Sequence, residues 1–435
     1  MADEKLIRGM GKWDMTAVAL NTIIGTGIFI LPAGVFGLIG SYSLFAFVAC
    51  AVIMGVIVLC FSEVSSRFQL TGGMYLYART AFGPEIGFEV GWLYWIVRVA
   101  TFAANCNAML AYIGFFVGGV SEGVARVVII SVVVGSITCV NLLGVRETAI
   151  VTNIFAVGKI VPLLVFAGVG IFFIEPGNFN FQTGLNVDAF PAAVLMLLYA
   201  YMGFEAAVIP AGETKDPQKS VPFALLIGLG FCAVLFIIVQ TVAIGTLPEL
   251  GTSKTPLADA ASRFLGTFGA GFIAIGALVS VLGNLNGGFL SSSRIPFAMA
   301  EQNEIPTVFG KTHNRYKTPY VAIVLTGLTV LVLSIFTTFL TAVTIAAITR
   351  LLVYATTCLA LPVFRQRDDI PAAKFSAPLG VLASVLSLGL IAWLLANVDF
   401  KKEGLPILIA AAIGIVLYFL YRTFGKSADA NSSRV

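Results

Sequence analysis

The groups best placed to do chemistry in this chain are backbone atoms freed by glycine. Ile23-Ile24-Gly25-Thr26-Gly27-Ile28-Phe29 and Tyr199-Ala200-Tyr201-Met202-Gly203-Phe204-Glu205 each interrupt an apolar stretch near its middle. Glycine costs a helix about 1 kcal/mol relative to alanine. Non-helical backbone inside a bilayer survives only where protein or a water-filled cavity satisfies its polar groups. A half-helix starting after Gly25 turns free N–H groups and a positive dipole end toward such a cavity, which is a ready carboxylate site. Broken helix ends also supply carbonyls, the acceptors that an ammonium needs. Two such breaks point to a small-molecule site at the membrane midplane.

Three cations stand inside apolar stretches: Arg98, Lys159 and Arg350. Each costs at least about 2.5–3.5 kcal/mol to insert, so each is a functional candidate. For the two arginines, Glu63, Glu89 and Glu205 are the acidic neighbours available for pairing. Lys159 lies about a dozen residues into its stretch, roughly 18 Å from the start at 1.5 Å per residue, near mid-membrane. Removal from water disfavours the charged form of any amine, so a lysine at this depth can change charge state. Phe204, Thr101, Asn105, Asn284 and Asn286 are candidate pocket walls. Each polar one is equally suited to an interhelical hydrogen bond, worth about 0.6 kcal/mol.

Other chemistries lack material. The one histidine, His313, sits in a polar loop, which leaves no His-based zinc site or triad. The six cysteines fall in apolar stretches without metal-ligand spacing and read as small buried hydrophobes. No metal, cofactor or enzymatic constellation is expected. No basic tract with interleaved aromatics suggests nucleic acid, and no soluble partner is evident.

The elements that must position these groups are membrane helices. Apolar residues make up 58% of the 435 and charged ones 11%, where a soluble domain carries about 25% charge; mean hydropathy is +0.97. On a ruler of about 20 apolar residues per span, twelve spans are expected: 14–37, 43–68, 86–117, 124–143, 148–174, 189–211, 223–246, 268–297, 318–338, 342–364, 376–397 and 404–422. The polar arm before the first span is too short for a signal peptide, and that span is expected to stay as an anchor. With the N-terminus inside, eighteen Lys and Arg lie on cytoplasmic segments, and only Arg126, Lys254, Arg263, Lys401 and Lys402 lie outside. This positive-inside bias places both termini in the cytoplasm of a multi-pass protein of the cytoplasmic membrane. The breaks fall in spans one and six. Their separation by an odd number of spans gives the two five-span units opposite orientations, as in inverted-repeat transporters.

The loops carry a resemblance. The segment from Glu63 to Trp92 contains Thr71-Gly72-Gly73-Met74-Tyr75-Leu76-Tyr77, then Ala81-Phe82-Gly83 and Gly91-Trp92. Glu213-Thr214-Lys215-Asp216-Pro217-Gln218-Lys219-Ser220-Val221-Pro222 follows span six. Ser291-Ser292-Ser293-Arg294 precedes Ala298-Met299-Ala300 and Ile305-Pro306. With the first break, these motifs occur in order, frame nearly the whole chain, and resemble the amino acid–polyamine–organocation (APC) superfamily of permeases. The resemblance implies an all-α integral membrane fold of twelve transmembrane helices: a LeuT-like 5+5 inverted repeat, discontinuous at helices 1 and 6, plus two C-terminal helices. Residues 1–12 would be a cytoplasmic arm, 13–174 and 189–364 the two repeats, 376–422 helices eleven and twelve, and 425–435 a cytoplasmic tail.

It also implies roles. The N–H groups of Thr26, Gly27 and Ile28 would take a substrate carboxylate, and the carbonyls of Ile23, Tyr199, Ala200 and Met202 its ammonium. Lys159 would stand where sodium binds in sodium-coupled relatives, bonded to the Gly25 carbonyl and to the hydroxyls of Ser291 or Ser292. Protons would then drive symport, or the lysine would stay charged in an exchanger (antiport). The expected substrates are neutral L-amino acids, because Arg98 and Arg350 oppose cationic side chains. A cationic amino acid or polyamine carrier is the alternative, although a polyamine has no carboxylate for the first break. A non-transporting sensor or subunit would ordinarily add a long soluble domain.

Overall fold

The computed structural model describes residues 6–116, 123–181, 184–336, 339–396 and 400–425. Within these, two glycine-containing breaks decide where the helices around the centre stop. The first, α1 (Lys12–Ile23), ends as Ile24 turns extended (φ −76, ψ 91), and α2 (Gly27–Ile39) restarts after Thr26. At 12 and 13 residues, each is about 18–20 Å long, short of a hydrocarbon core of about 30 Å unless placed end to end. Next come α3 (Ser43–Ser65), the short α4 (Met74–Phe82), α5 (Pro84–Phe116), α6 (Gly123–Leu143) and α7 (Val145–Gly170).

The second break repeats the device. Helix α8 (Phe190–Tyr201) ends at the extended Met202 (φ −73, ψ 157), and Gly203 takes φ +115, a conformation open chiefly to glycine. A buried 3₁₀ segment, Phe204–Glu213, replaces the second half-helix. The rest is α9 (Pro217–Thr246), α10 (Pro256–Glu301), α11 (Tyr320–Phe336), α12 (Phe339–Arg365), α13 (Val381–Ala396) and α14 (Phe400–Leu420). Among the described residues there is no strand, only an isolated bridge in which Met10 N–H donates to Glu213 O (3.1 Å) and Lys215 N–H to Met10 O (2.7 Å).

At the centre, α1 packs against α9, α7 and α10, while α5 faces α10 and α12. The outside is apolar: Phe172, Phe268 and Phe336 are 79–85% exposed. An exposed surface of this kind suits lipid and not water. The chain is a multi-pass membrane protein, with eight helical stretches among the described residues long and apolar enough to cross a bilayer.

These eight are counted among the described residues only and leave the expected twelve untested. One of the eight, Gly27–Ser65, joins α2 to α3, and the polar half-helix α1 falls outside it. The apolar stretches Tyr320–Phe336, Val381–Ala396 and Leu408–Thr423 each begin or end where the described residues do, and they stand outside the eight. The expected span 268–297 lies inside the 46-residue α10, whose backbone leaves helical geometry at Gly266 (φ +63), just where that span was to begin. Span seven starts earlier than expected, at Pro217, because Asp216 and Pro217 open the helix in the loop motif itself. Cys139 is exposed on α6, against the expectation that all six cysteines are buried. The tail expected over 425–435 lies, beyond Gly425, outside the described residues, as do residues 1–5 of the arm.

Candidate functional site

The last four carbonyls of a helix have no partner within it, and at α1 three of the four find one elsewhere. Leu20 O accepts from Ile24 N–H (2.9 Å), Asn21 O from Lys159 Nζ (3.0 Å), and Thr22 O from Asn284 Nδ2 (2.8 Å). The fourth belongs to Ile23, which lines the central cavity. In the break itself, Ile24 O accepts from Lys159 Nζ (2.7 Å) and Ser280 Oγ (3.1 Å), and Gly25 O from Ser280 Oγ (3.2 Å). The third Lys159 bond goes to Ser280 O (3.1 Å). An ammonium has three donors, and here all three meet carbonyls around a fully buried side chain.

This arrangement corrects two expected contacts. Ser291 Oγ donates to Ala206 O (2.7 Å) and Ser292 Oγ to Gly288 O (2.7 Å), so neither reaches Lys159. They lie three turns past Ser280 on α10, about 16 Å away along the axis. Lys159 bonds Ile24 O, and the Gly25 carbonyl goes to Ser280. Ser280 sits one turn before Asn284 on the same helical face, and that i, i+4 spacing was the available signal.

The second break hangs on Glu205. Its carboxylate accepts from Gly203 N–H (2.8 Å), Tyr354 Oη (2.6 Å) and Tyr94 Oη (3.3 Å), and pairs with Arg350 Nε at 3.4 Å. All four side chains are buried. Arg350 Nη2 also donates to Thr101 Oγ1 (3.2 Å). Phe204 is fully buried edge-on to Phe61, with ring centroids 5.1 Å apart. It packs away from the cavity and is not one of its walls, contrary to expectation. Asn286 Nδ2 likewise turns to Thr152 Oγ1 (2.9 Å). Tyr94 was missed, though Tyr94, Arg98, Thr101 and Asn105 form a polar stripe at helical spacing along α5.

The two breaks touch. A Cβ on Gly203 would overlap the Thr22 carbonyl, and one on Gly27 would stand 3.0 Å from Ala200 Cα. Between them lies a cavity of about 20 Å³, room for the centre of about one water molecule. Of the expected site residues, Ile23, Gly25, Gly27, Asn105, Tyr199, Met202 and Asn284 line it; Thr22, Arg98, Thr101, Gly203 and Arg350 complete it. Thr26 and Ile28 are buried and their side chains do not line it, and Ala200 stands against Gly27. Asn105 Nδ2 bonds Asn284 Oδ1 (3.0 Å), joining α5 to α10 across the lining.

The electrostatics of the four broken ends differ in pairs. The negative end of α1 receives the Lys159 ammonium, and the N–H end that opens the 3₁₀ segment receives the Glu205 carboxylate. Both match the helix dipole. The other two ends have no such match: α2 carries no acidic residue in its first turn and α8 no basic residue in its last. Those two ends contribute Gly27 and Tyr199 to the cavity. One charged side chain there has no ion-pair partner among the described residues. Arg350 finds Glu205 as expected, but Glu63 is held by Arg365 (2.6 Å) and Arg67 (3.6 Å), and neither Glu89 oxygen has a partner. Arg98 pairs with none of the three.

A family model described as "Amino acid permease" matches residues 10–420. Three proteins of Bacillus subtilis (strain 168) are similar over almost the whole chain. The methylthioribose transporter is 25% identical, covering 96% of this chain and 94% of its own length. The branched-chain amino acid permease BcaP is 25% identical with the same coverage. The serine/threonine exchanger SteT is 27% identical, covering 96% of this chain and 97% of its own.

Proposed function

Because this chain belongs to the amino acid permease family, we propose that it carries amino acids across the cytoplasmic membrane and binds them in the cavity between its two breaks. The observation that carries this reading is the pair of uncompensated helix ends. The start of α2 offers the N–H groups of Thr26, Gly27 and Ile28 to a carboxylate. The carbonyls of Ile23, Tyr199, Ala200 and Met202 would take the ammonium. A zwitterion completes both ends at once. These contacts involve only groups common to all amino acids, so side-chain preference must come from the walls.

Within this reading, twelve spans form two inverted five-helix units plus two further helices, with both termini cytoplasmic. The small cavity is a closed state, and transport alternates its opening to either side. Lys159 couples the first break to α7 and α10, either as a proton carrier or as a fixed charge in an exchanger. The names of the three relatives differ in substrate, so no substrate carries over from them. Arg98 and Arg350 disfavour a cationic side chain, and that argument leaves neutral and anionic ones open.

Counterflow into proteoliposomes with a panel of labelled amino acids, with and without a proton gradient, tests the reading. Uptake of at least one member is expected, and an imposed gradient separates symport from exchange. A Gly27→Leu variant is expected to lose amino acid binding, with an overpacking cost of about 1–3 kcal/mol against Ala200. Unchanged affinity in a scintillation proximity assay would remove the break from the binding site.

A further inference from the structure

Among the described residues, Arg98 is a buried cation without a counter-charge. It is 4% exposed, lines the central cavity, and its Nε has no hydrogen-bond partner. Its position is specifically accommodated: a Cβ on Gly288 of α10 would overlap its Nη2, so the guanidinium lies over bare backbone between α5 and α10. The charged side chains lining or anchoring the cavity are Arg98, Arg350 and Glu205. Glu205 is committed to Arg350, Gly203 and two tyrosines. The Lys159 ammonium lies behind the wall among three carbonyls. The cavity therefore holds one positive charge in excess.

We propose that Arg98 receives a side-chain carboxylate of the substrate, making dicarboxylic amino acids the preferred class. This rests on the amino acid site proposed above. There the α-carboxylate and ammonium are taken by the broken ends, and a zwitterion leaves the charge of Arg98 unbalanced. A second carboxylate balances it. The planar guanidinium fork fits a carboxylate in two parallel hydrogen bonds. Thr101 and Asn105, on the same face of α5, and Asn284 opposite line the cavity beside the guanidinium. A side-chain amide has the shape but not the charge, so the site should tell glutamate from glutamine and aspartate from asparagine.

The test measures binding of L-glutamate, L-aspartate, their amides, L-serine and L-leucine to the full-length protein in detergent, by ligand-induced thermal shift and by competition. The two acids are expected to bind at least about tenfold more tightly than their amides, as pairing of a buried charge requires. In Arg98→Gln that ratio should collapse toward one, and Arg98→Lys should retain part of it. Should Arg98→Gln fail to fold, Gly288→Ala, which displaces the guanidinium, is expected to lower the same ratio. If amides or apolar amino acids bind the wild type as well as the acids, the dicarboxylate inference is overturned and the amino acid site stands. If none of the panel binds, the site itself is overturned. An unchanged ratio in Arg98→Gln would remove Arg98 from recognition.

Discussion

The two breaks look alike in sequence and are stabilised by opposite charges. At the first, a lysine from α7 and a serine and an asparagine from α10 cap the carbonyls that α1 releases. At the second, a glutamate one residue past Met202-Gly203-Phe204 caps the N–H that opens the 3₁₀ segment and ties it to tyrosines on α5 and α12. The difference follows from the opposite partial charges of the two capped ends. The carbonyl end of α1 needs a cation, and the N–H end after Gly203 needs an anion. What remains without a capping charge is the complementary pair, the N–H end of α2 and the carbonyl end of α8. A scaffold that neutralises two ends and leaves two open is prepared for a ligand carrying both charges.

The comparison can be broken at either side. The largest effect is expected from Glu205→Ala, which strands Arg350 as a buried charge and should cost about 3–5 kcal/mol. A fall in the thermal midpoint of the detergent-solubilised protein reads this directly. A midpoint near wild type would mean that the second break does not depend on its carboxylate. Lys159→Ala should insert and fold yet lose most transport, about tenfold or more, since three carbonyls around the first break lose their charged donor. Wild-type uptake by that variant in proteoliposomes would sink both the coupling and the bridging role of the lysine.

The smallest effect sharpens the first break alone. Ser280→Ala removes one hydroxyl shared between the Ile24 and Gly25 carbonyls and should cost about 0.5–1.5 kcal/mol. Ser292→Ala loses only a bond to its own helix, at Gly288, and should stay within about 0.5 kcal/mol of wild type. Equal losses in the two variants would undo the assignment of Ser280 to the break.

Much of the molecule is legible in the chain because the signals are local. Gly25, Gly27 and Gly203 mark where a helix fails, and apolar runs mark where lipid must be met. A lysine amid such a run announces that something must cap it. The residues the sequence misassigned are those whose partners lie on other helices. Ser291 and Ser292 are attractive hydroxyls near a family motif, yet the crossing of α7 and α10 brings Ser280 to the lysine instead. Phe204 sits beside a break, but the turn at Gly203 rotates it into Phe61 and Tyr354. The pairing of Arg350 with Glu205, and not of Arg98 with any acid, joins residues more than a hundred positions apart.

By itself, then, the sequence determined that this is a helical membrane protein with two interrupted helices, and with a lysine and two arginines inside apolar stretches. Periodicity, hydropathy and glycine act over a few residues and do not depend on the rest of the fold. Only the tertiary structure decided which carbonyls are capped and which stay open to the cavity, and which arginine is neutralised. Those outcomes depend on how α1, α5, α7, α10 and α12 cross, and a hydrogen bond requires its partners within about 3 Å whatever their distance along the chain.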